Sequence, residues 1–312
     1  MSGIQSNKKN KILSLCDGIG TGKLAFDRVF GSDNIEYYAV EIEETPRILA
    51  DKNLKGAVFR PKNDLLQIQA KEMLYDWPVF DWVIFGFTCK SLSVQGKREN
   101  LEGSSGILFN CMSTLLMAKH RNPNVKFLIE NVASIRKDVR NLIDKIIGVT
   151  SVKNSSSLVS AQARERLYWC NFKVRQPKDR GVLANDILDK DGVQLKAWSK
   201  STRYKDNKTG KIHSTPCTDR TPYIEERFRS DGKANTIVTG FGGAGPSTKN
   251  IVITKDGSER PLSVRQCARL QSFPNDFCFD SVSPRKAYEC LGNAWNLDTI
   301  VHILECSEAT YS

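Results

Sequence analysis

Apolar and polar positions alternate in blocks through the first half of the chain. Short, continuous apolar runs predict buried strands at residues 11–16, 37–41, 80–85 and 125–129. Amphipathic stretches between these runs predict helices at residues 23–29, 45–54 and 107–119. Strands that alternate with helices pair in parallel and are covered on both faces. The pattern therefore predicts an α/β fold with a doubly wound, mostly parallel sheet.

The pattern changes after about residue 175. Residues 177–261 are rich in Lys, Arg, Gly, Thr and Ser and contain only short apolar runs, which predicts a small, loop-rich insert. Helical periodicity returns between residues 263 and 304. We therefore predict a main domain at residues 1–175, a separate region at 176–262, and a segment at 263–312 that returns to the main domain.

Charge and composition narrow the class of protein. The 312 residues carry a formal net charge of +11, and ten Lys or Arg stand against five Asp or Glu between Lys196 and Lys233. This excess indicates either a polyanionic partner or a solvated loop surface. The nine cysteines form no CxxC pair and only three histidines are present, so we expect neither a disulfide framework nor a metal site.

The cellular setting follows from the same composition. No apolar run approaches the roughly 20 residues that span a bilayer, and the first residues lack the apolar stretch of a secretory signal. We expect no membrane association and an intracellular location: cytoplasm or nucleoid in a prokaryotic or viral setting, or the nucleus in a eukaryote. The oligomeric state is not indicated.

A glycine-rich turn follows the first strand. Gly18, Gly20 and Gly22 allow a ligand to approach the backbone, and Glu41 ends the second strand at the spacing of an acid that binds a ribose hydroxyl. Asp17 would repel a pyrophosphate, which favours S-adenosylmethionine over NAD. An ordinary strand-to-helix turn is the alternative. Asp64, after a short strand at 58–59, either reaches an adenine amino group or caps the helix that follows.

Nucleophilic chemistry is indicated at three strand ends. Cys89 follows the third predicted strand, Glu130 follows the fourth, and Arg164 and Arg166 open another strand-like segment. A thiolate can add to C6 of cytosine and activate C5, a carboxyl group can engage N3, and guanidinium groups can hold O2. Each residue also has an ordinary structural explanation: a core cysteine, a buried acid, or phosphate-binding arginines.

Taken together, these blocks resemble the DNA (cytosine-5) methyltransferase family in their usual order across almost the whole length. The resemblance rests on Leu15-Cys-Asp-Gly-Ile-Gly-Thr-Gly, Phe87-Thr-Cys89, Glu130-Asn-Val, Gln162-x-Arg164-x-Arg166, Arg265-Gln-Cys-Ala-Arg-Leu-Gln-Ser-Phe-Pro and Leu291-Gly-Asn-Ala-Trp. The motif style is similar to the animal de novo branch, without its accessory domains. It implies a Rossmann-like fold, a catalytic domain at 1–175 and a target-recognition region at 176–262.

The resemblance also implies a set of site residues. Catalysis would use a covalent bond from Cys89 to C6, with Glu130 at N3 and with Arg164 and Arg166 positioning the base and nucleophile. The cofactor S-adenosylmethionine, which leaves as S-adenosylhomocysteine, would contact Asp17, Gly18, Ile19, Gly20, Thr21, Gly22, Glu41, Ile42, Asp64, Asn293 and Trp295.

Double-stranded DNA is the expected substrate, and a stacked cytosine must be flipped out of the duplex to react. The candidate contacts to DNA are Ser93, Gln95, Lys97, Arg98, Arg227, Arg229 and Lys233. Gln95 either fills the vacated stack or is an ordinary surface residue.

Two positions depart from the family pattern, and alternatives stay open. Thr88 replaces the usual proline before Cys89, and Cys16 replaces the usual aromatic residue of the first motif. The alternatives are a tRNA cytosine-5 methyltransferase, a catalytically silent DNA-binding homologue and, more distantly, an NAD-dependent oxidoreductase. The target sequence, the biological pathway and the effect of Thr88 on rate or donor choice do not follow from the sequence.

Overall fold

The chain divides into two compact units. The computed structural model describes residues 8–56, 58–87, 105–213, 216–240 and 248–309, without the side chains of 105, 197–201, 224–228, 248 and 249. The first unit comprises residues 1–155, 165–177 and 297–312, and the second comprises 156–164 and 178–296. Residues 156–164 and 263–296 are thus grouped with the insert by their contacts, and the division into catalytic and target-recognition regions stays a prediction.

The first unit opens with alternating strands and helices. In chain order they are β1 (Asn10–Leu15), α1 (Thr21–Phe30), β2 (Ile35–Val40), α2 (Glu44–Asn53), β3 (Val58–Phe59), β4 (Trp82–Gly86), α3 (Ser105–Arg121), β5 (Lys126–Val132), α4 (Lys137–Ile147), β6 (Val152–Ser155) and β7 (Glu165–Cys170). Every strand and helix expected in this half is present within a few residues of its predicted bounds. The sequence pattern did not identify α4 or β6.

One sheet organises these elements in the order β3-β2-β1-β4-β5-β7-β6 among the described residues. The strands from β3 to β5 are parallel, whereas β7 runs antiparallel to both β5 and β6. The expected mostly parallel, doubly wound sheet is confirmed. The strand order reverses between β1 and β4, and ligands of open α/β sheets bind at the carboxyl ends of the strands at such a point.

The core of this unit is the centre of the sheet. Leu13, Val83 and Phe127 are completely buried on adjacent strands, with helices on both faces of the sheet. Central parallel strands are therefore almost continuously apolar, which is why their hydropathy alone identified them.

The second unit contains α5 (Ala184–Leu188), β8 (Val193–Asp206), β9 (Ile212–His213), β10 (Arg220–Phe228), β11 (Thr248–Thr254), β12 (Glu259–Pro261), α6 (Val264–Leu270) and α7 (Pro284–Asn293). Its antiparallel sheet has the order β10-β8-β11-β12, with β9 paired to β8. The region is less loop-rich than expected. Its longest strand, β8, is polar over much of its length, so ladder hydrogen bonds form it where hydropathy gives no signal.

Capping residues set the helix starts in the second half of the chain. Ser263 and Gln266 form a reciprocal capping box at α6, and Ser283 caps α7, which begins with Pro284. The last helix, α8 (Leu297–Glu308), belongs to the first unit, where Asp298 forms an ion pair with Arg28 of α1 at 3.0 Å. Within the described chain, no helix combines the length and apolarity needed to span a membrane.

Candidate active site

The turn between β1 and α1 has an unusual backbone. Cys16, Gly18 and Gly20 all have positive φ, at 53°, 61° and 78°. Such a conformation costs little at glycine and about 1–2 kcal/mol at other residues, so Cys16 is strained here. A Cβ at Gly20 would lie 2.5 Å from a methyl carbon of Leu54. The glycine pattern is therefore required by both conformation and packing.

The third glycine seats α1 on the sheet. A Cβ at Gly22 would lie 2.5 Å from the hydroxyl of Tyr37 and 2.6 Å from the terminal carbon of Ile84. The side chains of Ile19 and Thr21, on either side of Gly20, are buried. The thiol of Cys16, at the start of this turn, is partly exposed.

Glu41 closes the turn from the end of β2. Its Oε2 accepts a hydrogen bond from the backbone N–H of Gly18 at 2.8 Å, and its Oε1 accepts from Glu43 N–H at 2.9 Å. The next side chain, Ile42, is 59% exposed and presents an apolar surface beside this buried acid. Arg47 donates to the carbonyl oxygens of residues 41 and 42 and so fixes this corner.

Asp17 is the most perturbed acid of the turn. It is 9% exposed; its Oδ1 accepts a 2.6 Å hydrogen bond from the Tyr37 hydroxyl, and its Oδ2 has no partner. Burial raises the pKa of the Asp17 carboxyl to about 6, although the hydrogen bond from Tyr37 and the charge of Arg60 act in the opposite direction. A buried carboxylate oxygen without a partner suits a cationic or ammonium-bearing ligand.

Arg60 is the cation near this acid, and no sequence motif indicated it. Its Nε and Nη2 donate to Asp51, while its Nη1 is buried without a partner among the described residues.

The turn offers three features to a cofactor. They are an acceptor for a positive centre at Asp17, an acid of the kind that binds a ribose at Glu41, and an apolar surface at Ile42. This set fits S-adenosylmethionine better than a dinucleotide, whose pyrophosphate an acidic turn would repel.

Asp64 caps the short 3₁₀ turn Leu65–Gln67. Its Oδ1 accepts from the N–H of Leu66 at 2.9 Å. The capping alternative is therefore present in the structure, and contact between Asp64 and an adenine stays a prediction.

Glu130 and Arg166 meet on the first unit's sheet. Arg166 Nε lies 2.9 Å from Glu130 Oε1, and the two side chains are only 13% and 11% exposed. Glu130 stands at the carboxyl end of β5, directly opposite Gly86 at the end of β4. The predicted acid and one predicted arginine thus form a nearly buried ion pair at the edge where ligands of this fold bind.

Asn131 ties this edge to the segment that leads to Cys89. Its buried Nδ2 donates to the carbonyl oxygen of Phe87 at 3.0 Å, and its Oδ1 accepts from Val132 N–H. Cys89 itself and the loop residues Ser93, Gln95, Lys97 and Arg98 lie outside the described residues. Asn131 belongs to the Glu130-Asn-Val motif, but no sequence signal predicts its role.

Arg164 belongs to the second unit. Its guanidinium group is buried and donates to the carbonyl oxygens of Ile237, Gly292 and Ala294 at 2.8, 3.0 and 2.9 Å. Gln162 Oε1 accepts from Ile237 N–H at 3.2 Å. Gln162 and Arg164 therefore both bind the backbone of Ile237, and Arg164 also joins that segment to the carboxyl end of α7.

The end of α7 and the residues that follow it carry the last two predicted cofactor residues, Asn293 and Trp295. A Cβ at Gly292 would lie 2.3 Å from backbone atoms of Val238 and Thr239, so no larger residue fits there. Asn293 is exposed and Trp295 is half-buried. The glycine of this motif is therefore required by packing, while Asn293 keeps a side chain that solvent can reach.

The predicted DNA contacts of the second unit differ in exposure. Arg229 is partly exposed and pairs with Asp231, and the side chain of Arg227 lies outside the described set. Lys233 is only 7% exposed, and its Nζ donates to the carbonyl oxygens of Ser160 and Val182 at 3.3 and 2.6 Å. Because that ammonium group is satisfied inside the unit, we do not retain Lys233 as a DNA contact.

No group of three or more potential metal ligands lies together in the part of the chain that the structure describes.

Comparison with known proteins decides the family. The family described as C-5 cytosine-specific DNA methylase matches residues 10–307. The chain belongs to this family. It is therefore a DNA (cytosine-5) methyltransferase, with the Rossmann-like fold of S-adenosylmethionine-dependent methyltransferases.

Relatives of this methyltransferase match it along nearly its whole length. The type II methyltransferase M.Bsp6I of Bacillus sp. (strain RFL6) is 26% identical over 322 residues, covering 95% of this chain and 97% of that protein. The type II methyltransferase M.HhaI of Haemophilus parahaemolyticus is 24% identical, covering 94% and 92%. The S. pombe Dnmt2 methyltransferase structure superposes with a TM-score of 0.65 at 17% identity, covering 96% and 98%, which shows the shared fold.

Proposed function

We propose that this methyltransferase methylates C5 of a cytosine flipped out of duplex DNA, through a covalent bond between Cys89 Sγ and C6. The Cys89 thiolate adds to C6, and the electrons of the C5–C6 double bond become available at C5. S-adenosylmethionine, when bound, supplies the methyl group to C5 and leaves as S-adenosylhomocysteine. A solvent water molecule then takes the C5 proton, and the C5–H electron pair re-forms the C5–C6 double bond as the C6–S bond breaks and the thiolate departs.

The Glu130–Arg166 ion pair is the observation that carries this proposal. Addition of a thiolate to C6 places electron density on the N3–C4 side of the ring, so a carboxyl group at N3 lowers the barrier by a hydrogen bond or proton transfer. Arg166 fixes the Glu130 carboxyl group in one orientation, because a guanidinium group binds a carboxylate in a defined plane. The pair lies in a nearly buried position, where its electrostatic interactions are strong.

Asn131 supports the nucleophile side of the same proposal. Its hydrogen bond to the Phe87 carbonyl joins the end of β5, which carries Glu130, to the chain two residues before Cys89. Precise placement of reacting groups contributes a large part of enzymatic rate. Asn131 is therefore proposed to set the spacing between the strand that carries the acid and the nucleophile loop.

The cofactor-binding residues of the first unit are proposed from the turn geometry. The unpartnered Oδ2 of Asp17 would accept from the amino group of S-adenosylmethionine, and Glu41 would bind the ribose beside the exposed Ile42. We also propose Asn293 and Trp295 as cofactor contacts. They lie at and just after the end of α7, where Arg164 donates to the carbonyl oxygens of Gly292 and Ala294.

Double-stranded DNA is the proposed substrate. The chain carries a net charge of +11 and its basic insert folds as a polar antiparallel sheet. Lys and Arg side chains neutralise DNA phosphates and dominate affinity. We propose Arg227 and Arg229 in this unit, and Ser93, Gln95, Lys97 and Arg98 after the nucleophile, as the residues that contact DNA.

The test is transfer of label from tritiated S-adenosylmethionine to unmethylated duplex DNA, with tRNA assayed in parallel. The expected result is label in DNA that is lost with Cys89→Ala, while Cys217→Ala, which changes an exposed cysteine, retains full transfer. DNA that contains 5-fluorocytosine should remain covalently bound to Cys89. Elimination of the thiolate requires loss of a proton from C5, and the fluorine that replaces this hydrogen cannot leave as a cation. Label in tRNA alone, or a Cys89→Ala variant with normal activity, would contradict the proposal.

A further inference from the structure

Asn154 is a buried amide beside the proposed catalytic ion pair. In the antiparallel ladders of the first unit, Asn154 on β6 lies directly opposite Arg166 on β7, which in turn lies opposite Val132 on β5. Directly paired residues share one face of a sheet, with Cβ atoms about 4.5–5.5 Å apart. Glu130 stands two residues before Val132 and therefore on this same face. Asn154 and Glu130 consequently flank Arg166 from its two neighbouring strands.

The Asn154 carboxamide has no hydrogen-bond partner among the residues that the structure describes. The residue is 2% exposed, and both Oδ1 and Nδ2 are buried without one. An amide in this position costs free energy of folding, and an apolar side chain of the same shape would be at least as stable. Stability of the fold therefore does not explain an asparagine here.

Arg166 has N–H groups that are available to donate a hydrogen bond to this amide. Its Nε bonds to Glu130, and its Nη1 donates to the carbonyl oxygen of Glu165 at 2.7 Å, which is the residue next to it in the chain. A guanidinium group has five N–H donors in a rigid plane. The Glu130 bond fixes one point of that plane, and a second acceptor on the opposite flank would fix its rotation.

We propose that Asn154 is a positioning residue for Arg166. In the complex with the target cytosine, the Asn154 carboxamide oxygen accepts a hydrogen bond from an Nη of Arg166, which holds the guanidinium plane and through it the Glu130 carboxyl group. The role rests on the proposed function of Glu130 and Arg166. It adds to that function a residue of β6 that touches neither cytosine nor cofactor.

Three substitutions test this role in the full chain. Asn154→Leu keeps the volume and removes the acceptor, whereas Asn154→Asp keeps an acceptor of the same size. Ser151→Ala is the matched control, because the Ser151 hydroxyl is also buried without a partner and lies three residues away on the same segment. The measurements are kcat and KM for duplex DNA and S-adenosylmethionine, with the melting temperature of each variant.

The expected result is a specific loss of turnover. A hydrogen bond to a charged group corresponds to roughly a tenfold to hundredfold change in rate, so Asn154→Leu should lower kcat by about that factor. Its KM for S-adenosylmethionine should stay within about twofold, and its melting temperature should be equal or higher. Asn154→Asp should restore kcat to within about threefold, and Ser151→Ala should leave every value unchanged.

Other outcomes overturn the inference. It fails if Asn154→Leu turns over normally, if Asn154→Asp is as slow as Asn154→Leu, or if Ser151→Ala is impaired equally. Absence of transfer by the unchanged chain would refute the proposed function itself, which separates that failure from a failure of Asn154 alone.

Discussion

The two units of this methyltransferase are stabilised by different kinds of interaction. In the first unit, buried apolar strands such as β1 and β4 form a parallel sheet, and the polar groups of the site project from its carboxyl edge. In the second unit, buried polar groups such as Arg164 and Lys233 bind backbone carbonyl oxygens and hold irregular segments. Hydrophobic burial therefore stabilises the sheet that carries the candidate catalytic groups of the first unit. In the second unit, hydrogen bonds to backbone carbonyl oxygens stabilise the irregular segments.

The largest expected effect tests how tightly the second unit is packed. Gly292→Ala places a Cβ against backbone atoms of Val238 and Thr239, which cannot move aside as a flexible side chain can. We expect a destabilisation above about 3 kcal/mol, at the upper end of overpacking effects. Denaturant unfolding, followed by hydrogen exchange of each unit, measures it.

The control for this substitution is in the first unit. A Cβ at Gly106 of α3 meets no atom of the described part of the chain within 4 Å. Alanine favours the helical state over glycine by up to about 1 kcal/mol, so Gly106→Ala should be neutral or stabilising. Equal stability of the two variants would contradict the packing argument.

The next effect concerns the buried acid of the first unit. Burial raises the pKa of Asp17 to about 6 from an ordinary value of 3.8, so the folded state binds its proton more tightly than the unfolded state. The contribution of this carboxyl to stability is complete below pH 3.8 and is lost as the pH rises through about 6. That loss corresponds to up to about 3 kcal/mol in the free energy of unfolding.

Asp17→Asn should remove this pH dependence, so that the variant gains stability over the parent chain between pH 4 and pH 7. It should also weaken binding of S-adenosylmethionine, because the unpartnered carboxylate oxygen is lost. Urea unfolding across this pH range and calorimetric titration with the cofactor measure the two effects. The exposed Asp33→Asn is the control, and an unchanged pH profile in Asp17→Asn would refute the burial argument.

The smallest effect separates two arginines that stand two residues apart. Arg164→Lys should destabilise the chain by about 2 kcal/mol, because lysine cannot reach the three carbonyl oxygens that the guanidinium plane serves. Arg166→Lys keeps the charge beside Glu130 and should lose about 1 kcal/mol of stability. Its kcat should fall about a hundredfold, because the planar bond to Glu130 is gone.

Thermal unfolding and single-turnover methyl transfer distinguish the two variants. Arg164→Lys should show the larger stability loss and Arg166→Lys the larger loss of rate per folded molecule. The reverse order would show that the arginine of the second unit, and not the one paired with Glu130, acts on the reaction.

Much of the first unit was predictable because its signals are local. A strand buried on both faces must be apolar, so β1, β4 and β5 are visible as runs of hydrophobic residues. Motif spacing predicted Asp17, Glu130 and Arg166 as candidate site residues, because ligands of such sheets bind at strand ends. The strand β8 gave no such signal, since a polar strand is formed by pairing with β10 and β11 and not by its own side chains.

The sequence alone determined the family, the parallel sheet and the identity of the candidate catalytic groups, since these depend on residue type and spacing along the chain. Only the tertiary structure decided which groups meet. Packing paired Arg166 with Glu130, brought Arg164 to carbonyl oxygens of the second unit, and buried Lys233 against the carbonyl oxygens of Ser160 and Val182. It also placed Asn154 beside Arg166. Contacts between residues distant along the chain arise from burial and strand register, which residue identity by itself does not specify.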